Sequence, residues 1–259
     1  MIALLLGSLV GISLGLTGGG GSIFAVPLLV YGLHLDFREA VTLSLAIVGS
    51  TALYGAALQT RRKVVLWGAG AMVGLGGIGT APLGATLGHY IPERLSLMLF
   101  AALMFVVGAQ MIAKRSDLVI AAIACQRSPR GELHFTWRCA AKLLSVGMVT
   151  GVLSGVFGVG GGFLLVPALL MVTGISIDSA MATSLVSIAL ISAAGCIANL
   201  SELNPTTLST AALFLVGSAV GMTGGAAAKP HLPAHSLRRI FGILVIVTAL
   251  VLFGRNLLS

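Results

Sequence analysis

The chain has 259 residues, fifteen Lys and Arg against seven Asp and Glu, a formal net charge of +8 and a mean hydropathy of +1.07. Only 8% of its residues are charged, against roughly 25% in a soluble domain, so a water-soluble globular fold is excluded and the solvent is lipid. The surplus positive charge lies in the gaps between apolar runs, where it marks membrane topology and contact with anionic lipid rather than nucleic acid.

The first apolar run covers residues 1–35. It has no positive n-region and continues past any cleavage site, so it is read as mature structure and not as a signal peptide. Runs at 40–60, 64–92 and 95–113 follow. A polar linker, Lys114 to Arg138, carries one apolar patch, Leu118 to Cys125, too short to span and suited to the interface. Four more runs lie at 143–177, 179–201, 203–228 and 237–254. The eight glycines within 64–92 point to close packing or kinks. Cys125, Cys139 and Cys196 have no CxxC or metal spacing, so no disulfide framework, metal site or cofactor is expected.

The two groups of runs are one sequence, diverged. A shift of 140 residues places Gly11, Gly15, Gly18, Gly20, Gly21, Val26, Pro27, Leu29, Ala40, Ser44 and Leu45 on identical residues, from Gly151 to Leu185. A shift of 141 pairs Gly84 with Gly225, Pro92 with Pro233 and Phe100 with Phe241. Such repeats are a common plan of secondary transporters. The predicted fold is an all-α integral membrane protein of two tandem repeats, each of four membrane helical segments. The first repeat is 1–113, the linker 114–138 and the second repeat 139–259.

The first segment of each repeat, 1–35 and 143–177, runs 35 residues without Asp, Glu, Lys or Arg. As one helix that is roughly 50 Å, against a hydrocarbon core of about 30 Å. Glycine interrupts both segments, at Thr17-Gly18-Gly19-Gly20-Gly21-Ser22 and at Phe157-Gly158-Val159-Gly160-Gly161-Gly162, and Pro27 and Pro167 follow. Glycine costs a helix about 1 kcal/mol per residue relative to alanine, so both segments break. Each then forms a re-entrant hairpin or a discontinuous crossing. With eight crossings the fifteen cations split ten to five between the two sides; with hairpins and three crossings per repeat they split twelve to three. The positive-inside rule favours hairpins, which make the repeats inverted.

The second half-helices, 22–33 and 162–173, begin at the breaks and present unpaired N–H groups with the positive end of the helix dipole. Two such ends converging at the midplane suit an anion with several oxygens. The candidate substrate-binding residues are Thr17, Gly18, Gly19, Gly20, Gly21 and Ser22 at the first break and Gly158, Gly160, Gly161 and Gly162 at the second. Ser44, Thr183, Ser184 and Ser187 on the following segments join them, although each hydroxyl can instead satisfy a carbonyl of its own helix. Pro27 and Pro167 are structural. Gly7, Gly11, Gly15, Gly151 and Gly155 follow the small-xxx-small spacing of helix packing. His34 and His89 sit at run ends, as interfacial histidines or as coupling groups. The expected partners are a small anion and the bilayer, with a homodimer left open.

The pattern G-x-x-x-G-x-x-G-x-G-G with Pro six residues on, at Gly11–Gly21–Pro27 and again at Gly151–Gly161–Pro167, resembles the sulfite exporter TauE/SafE family. The resemblance spans nearly the whole chain. It implies a bacterial inner-membrane permease for sulfite, sulfoacetate or related sulfonates. Thr17 and Ser22 flank the first glycine run, but Phe157 and Gly162 flank the second, so the two breaks differ chemically. No phosphate-binding loop, GxSG serine, buried Asp pair or HExxH is present, which argues against a pump or an intramembrane enzyme. The alternative is a non-transporting membrane assembly factor.

Overall fold

The computed structural model describes residues 2–60, 64–112, 125–127, 133–134, 136–202, 207–229 and 234–258. The patch at 118–124 therefore lies outside the described residues. The first half of the chain comprises α1 (Ile2–Thr17), a 3-10 turn (Gly20–Phe24), α2 (Ala25–Leu33), α3 (Phe37–Thr60), α4 (Trp67–Tyr90) and α5 (Glu93–Ile112). The second comprises α6 (Trp137–Phe157), α7 (Gly162–Thr173), α8 (Ile177–Ala198), a 3-10 turn (Leu200–Glu202), α9 (Leu208–Ala228) and α10 (Ala234–Leu258). In the linker, β1 (Gln126–Arg127) pairs antiparallel with β2 (Leu133–His134).

Among the described residues five helices are long and apolar enough to cross a membrane: α3, α4, α6, α8 and, over Thr210–Ala228, α9. Large apolar side chains such as Leu53, Leu75, Leu83 and Val220 point outward. In water such a surface would aggregate, whereas in a bilayer it faces acyl chains.

Both broken segments turn back on themselves. Gly21 packs against Ser13 and Leu14 and Gly32 against Leu6, so α2 runs antiparallel beside α1. Gly161 likewise returns against Thr150, about two turns before α6 ends at Phe157. These are hairpins, not crossings.

The two sequence units interlock. α1 lies parallel to α9, with Gly7, Gly11 and Gly15 on the backbone of Phe214, Ser218 and Met222, and Gly217, Gly221 and Gly225 on the carbonyls of Leu4, Ser8 and Ile12. α6 lies parallel to α4 in the same manner, with Gly147 and Gly155 on the carbonyls of Val73 and Ala81, and Gly76 and Gly84 on those of Leu144 and Val152. The four-residue spacing keeps one bare stripe facing the neighbour, and backbones meet with no side chain between them. α3 and α8, related by the 140-residue shift, pack antiparallel: Gly49 meets Ser192, and Leu45 meets Gly195.

One expectation is corrected. Cys125 and Cys139 form a disulfide with Cα atoms 4.9 Å apart, within the normal range for such bridges. The strand pair folds the linker back so that Cys125 reaches the first turn of α6. A separation of 14 residues carries no sequence signature that would reveal this.

Candidate functional site at the glycine breaks

The two breaks meet inside the bundle. A methyl on Gly19 would lie 2.6 Å from the Gly162 carbonyl oxygen, and one on Gly162 would lie 2.7 Å from that of Gly19. Gly18, Gly158, Gly160 and Gly161 take φ of 73°, 69°, 63° and 66°, left-handed conformations that side-chain-bearing residues adopt at a cost of roughly 1–2 kcal/mol. The first break resumes as a 3-10 turn through Ser22 before α2 begins at Ala25, whereas α7 begins at Gly162 as predicted. Pro27 falls in the first turn of α2, where its missing N–H costs nothing; Pro167 lies deeper in α7.

Among the described residues no hydrogen bond engages the N–H groups of Gly19, Val159, Gly160 or Gly161. All four residues are buried. A buried amide without a partner is costly, and an anion is the natural acceptor for several at once.

The predicted hydroxyls are mostly engaged elsewhere. Thr17 donates to Ser13 O (2.6 Å) and Ser22 to Gly19 O (2.8 Å). Ser44 donates across the bundle to Gly158 O, and Ser184 to Gly18 O, both at 2.7 Å. These two bonds are counterparts under the shift of 140: each unit's serine pins the other unit's break. Thr183 and Ser187 are not brought to the breaks by these bonds. Thr183 accepts from Leu66 N (3.0 Å) and Ser187 donates to Gly70 O (2.9 Å), so both fasten α4.

Sequence reasoning missed three features. Ser154 and Ser192 are fully buried, and neither hydroxyl has a hydrogen-bond partner among the described residues. Their counterparts are Leu14 and Ala52, so a search for matched polar residues passes over them. The third is a pocket between α3, α4 and α6, lined by Arg38, Val41, His89, Gly155, Val156 and Asn199 among others. Its cavity volume of about 20 Å³ admits a water and not an oxyanion. At its mouth Arg38 donates to His89 Nδ1 and to His89 O, both at 3.0 Å; Glu202 lies 3.8 Å from the same Nδ1. Its floor includes Val41, whose Cα lies 2.7 Å from where a methyl on Gly158 would sit. At the position matching Arg38, Asp178 instead closes on Lys229 in an ion pair of 2.7 Å.

Crossing helices around two hairpins, with glycine tips meeting in the interior, define a multi-pass membrane transporter. Over residues 3–252 the sequence matches the family described as Sulfite exporter TauE/SafE, and the chain belongs to that family. It is 35% identical to a "Probable membrane transporter protein" of Xylella fastidiosa (strain Temecula1), over 96% of this chain and 93% of that one. It is 34% identical, over the same shares, to the protein of that description from strain 9a5c. To the "Probable membrane transporter protein YdhB" of Bacillus subtilis (strain 168) it is 27% identical, covering 78% of this chain and 79% of the relative. No solved structure gives a significant match.

Proposed function

We propose that this permease moves a small anion, a sulfur-containing oxyanion or organosulfonate, held on bare peptide amides where the two glycine breaks meet. The observation that carries this reading is the set of buried, unpartnered N–H groups at Gly19, Val159, Gly160 and Gly161. The family's description supports the sulfur chemistry. Backbone amides suit such a cargo because its charge is spread over several oxygens, and each can take a donor in a dry site. A fixed Arg or Lys there would bind more tightly and release more slowly. The breaks are closed around one another, so transport requires the α1–α2 and α6–α7 hairpins to part in turn, as in alternating access. The cation bias supports a cytoplasmic linker side, and the bacterial origin of the relatives supports a bacterial inner membrane. The reading is transport rather than catalysis.

The test is uptake into proteoliposomes, alongside thermal unfolding of purified protein with sulfite, methanesulfonate, sulfate and acetate. Sulfite or methanesulfonate should stabilise the protein and be transported. Gly20→Leu and Gly161→Leu should abolish flux while leaving folded protein. Flux of both variants at the wild-type level would remove the breaks from the mechanism. Failure of every anion to stabilise or cross would instead fit a non-transporting assembly factor.

A further inference from the structure

We infer that the anion seat is one-sided: the second break holds the cargo, with the hydroxyls of Ser154 and Ser192 as its side-chain donors, and the Arg38 pocket, water-sized while the hairpins are closed, marks the side from which the seat opens. This rests on the permease reading above and deepens it. Two independent observations converge on the second break.

The first is the pair of orphaned hydroxyls. Ser192 is fully buried on α8, without a hydrogen-bond partner, and a methyl on Gly160 would lie 2.8 Å from its Oγ. It therefore faces the left-handed glycine between α6 and α7. Ser154 is equally buried and unpartnered, one turn before the break. It shares a helix face with Thr150, the residue against which Gly161 returns. A buried Ser or Thr in a helix can back-bond to the carbonyl one turn earlier, as Thr150, Thr17 and Thr51 do in this chain. Two hydroxyls left unspent beside three unspent amides, those of Val159, Gly160 and Gly161, form a donor set without an acceptor. At the first break Thr17 and Ser22 have already given their protons to Ser13 O and Gly19 O, and the counterparts of Ser154 and Ser192 are the apolar Leu14 and Ala52. That break has backbone amides to offer, those of Gly19, Gly20 and Gly21, but no unspent hydroxyl beside them.

The second observation is the pocket. Its lining includes Gly155 and Val156, the residues that follow Ser154, and Val41, which backs Gly158. Arg38, fixed at its mouth by two bonds to His89, provides positive charge for attracting an anion. Arg38 carries donors only, and the Glu202 carboxylate stands at the same imidazole, 3.8 Å from Nδ1. At the matching position of the second unit the arginine is replaced by Asp178, which pairs with Lys229 at 2.7 Å.

Ser154→Ala, Ser192→Ala and, as the first-break control, Ser22→Ala would be compared with wild type in two measurements. One is the concentration of sulfite giving half-maximal stabilisation; the other is the thermal midpoint without anion. Hydrogen bonds to charged groups set the scale, so each second-break variant should weaken sulfite by about tenfold or more. Its anion-free midpoint should stay level or rise, because an unpaired buried hydroxyl has been removed. Ser22→Ala should lower the midpoint and leave the half-saturating concentration within about twofold. Second-break variants that bind sulfite as wild type does, or that lose stability without anion, would overturn this inference and leave the permease reading standing. A wild-type protein that responds to none of sulfite, methanesulfonate, sulfate or acetate would overturn both.

Discussion

Glycine serves two distinct purposes in this chain, and substitution separates them. On α1, a methyl at Gly11 would strike the carbonyl of Ser218 and the amide of Met222, which are backbone atoms and cannot rotate aside. Gly11→Ala should therefore cost several kcal/mol, on the order of an overpacked core, and thermal unfolding in detergent should show a large drop or no folded protein. Gly79 and Gly224 have nothing within 4 Å of an added methyl. Gly79→Ala should be neutral or stabilising by up to about 1 kcal/mol, from helix propensity alone. His34 is a third case. It caps α2 at φ 55°, and its counterpart capping α7, Gly174, has φ 62°. His34→Gly should raise the unfolding midpoint, because glycine removes a left-handed penalty of roughly 1–2 kcal/mol.

At the level of elements, the reciprocal serine bonds hold each hairpin tip against the other unit's crossing helix. Ser44→Ala leaves the Gly158 carbonyl without its cross-bundle donor, at a cost of about 1–3 kcal/mol for a buried group. Ser184→Ala should cost a similar amount through Gly18, and both should show as lowered thermal midpoints. The breaks were legible in the sequence because four glycines in succession cannot be helix and because charge-free runs of 35 residues exceed the bilayer. The hairpin geometry was legible through the cation count, and α7 began at the residue expected. Which hydroxyls near the breaks stay unpaired was not. Ser187 and Ser192 both lie on α8 within an apolar run, and only packing assigns one to Gly70 and the other to Gly160. Glu39, in the gap between the apolar runs 1–35 and 40–60, is buried in the first turn of α3, accepting from Thr207 Oγ1 at 2.7 Å.

For the molecule as a whole, the exchange of partners means that neither sequence unit has a complete core. α1 finds its glycine stripe's complement on α9, and α6 on α4. Residues 1–113 and 139–259 expressed apart should be degraded, and their coexpression should restore a complex detectable by copurification; stable solitary halves would contradict the interlocked packing. The bridge from Cys125 to Cys139 has a further consequence, for orientation in the cell. Charge bias assigns the linker to the cytoplasm, where cellular reductants keep thiols open. On the periplasmic side the sulfurs would stay joined. Cells quenched in acid, denatured and alkylated should yield three modified cysteines if the linker faces inward. They should yield Cys196 alone if it faces outward. Counting labelled thiols thus reads the sidedness of every helix from one loop.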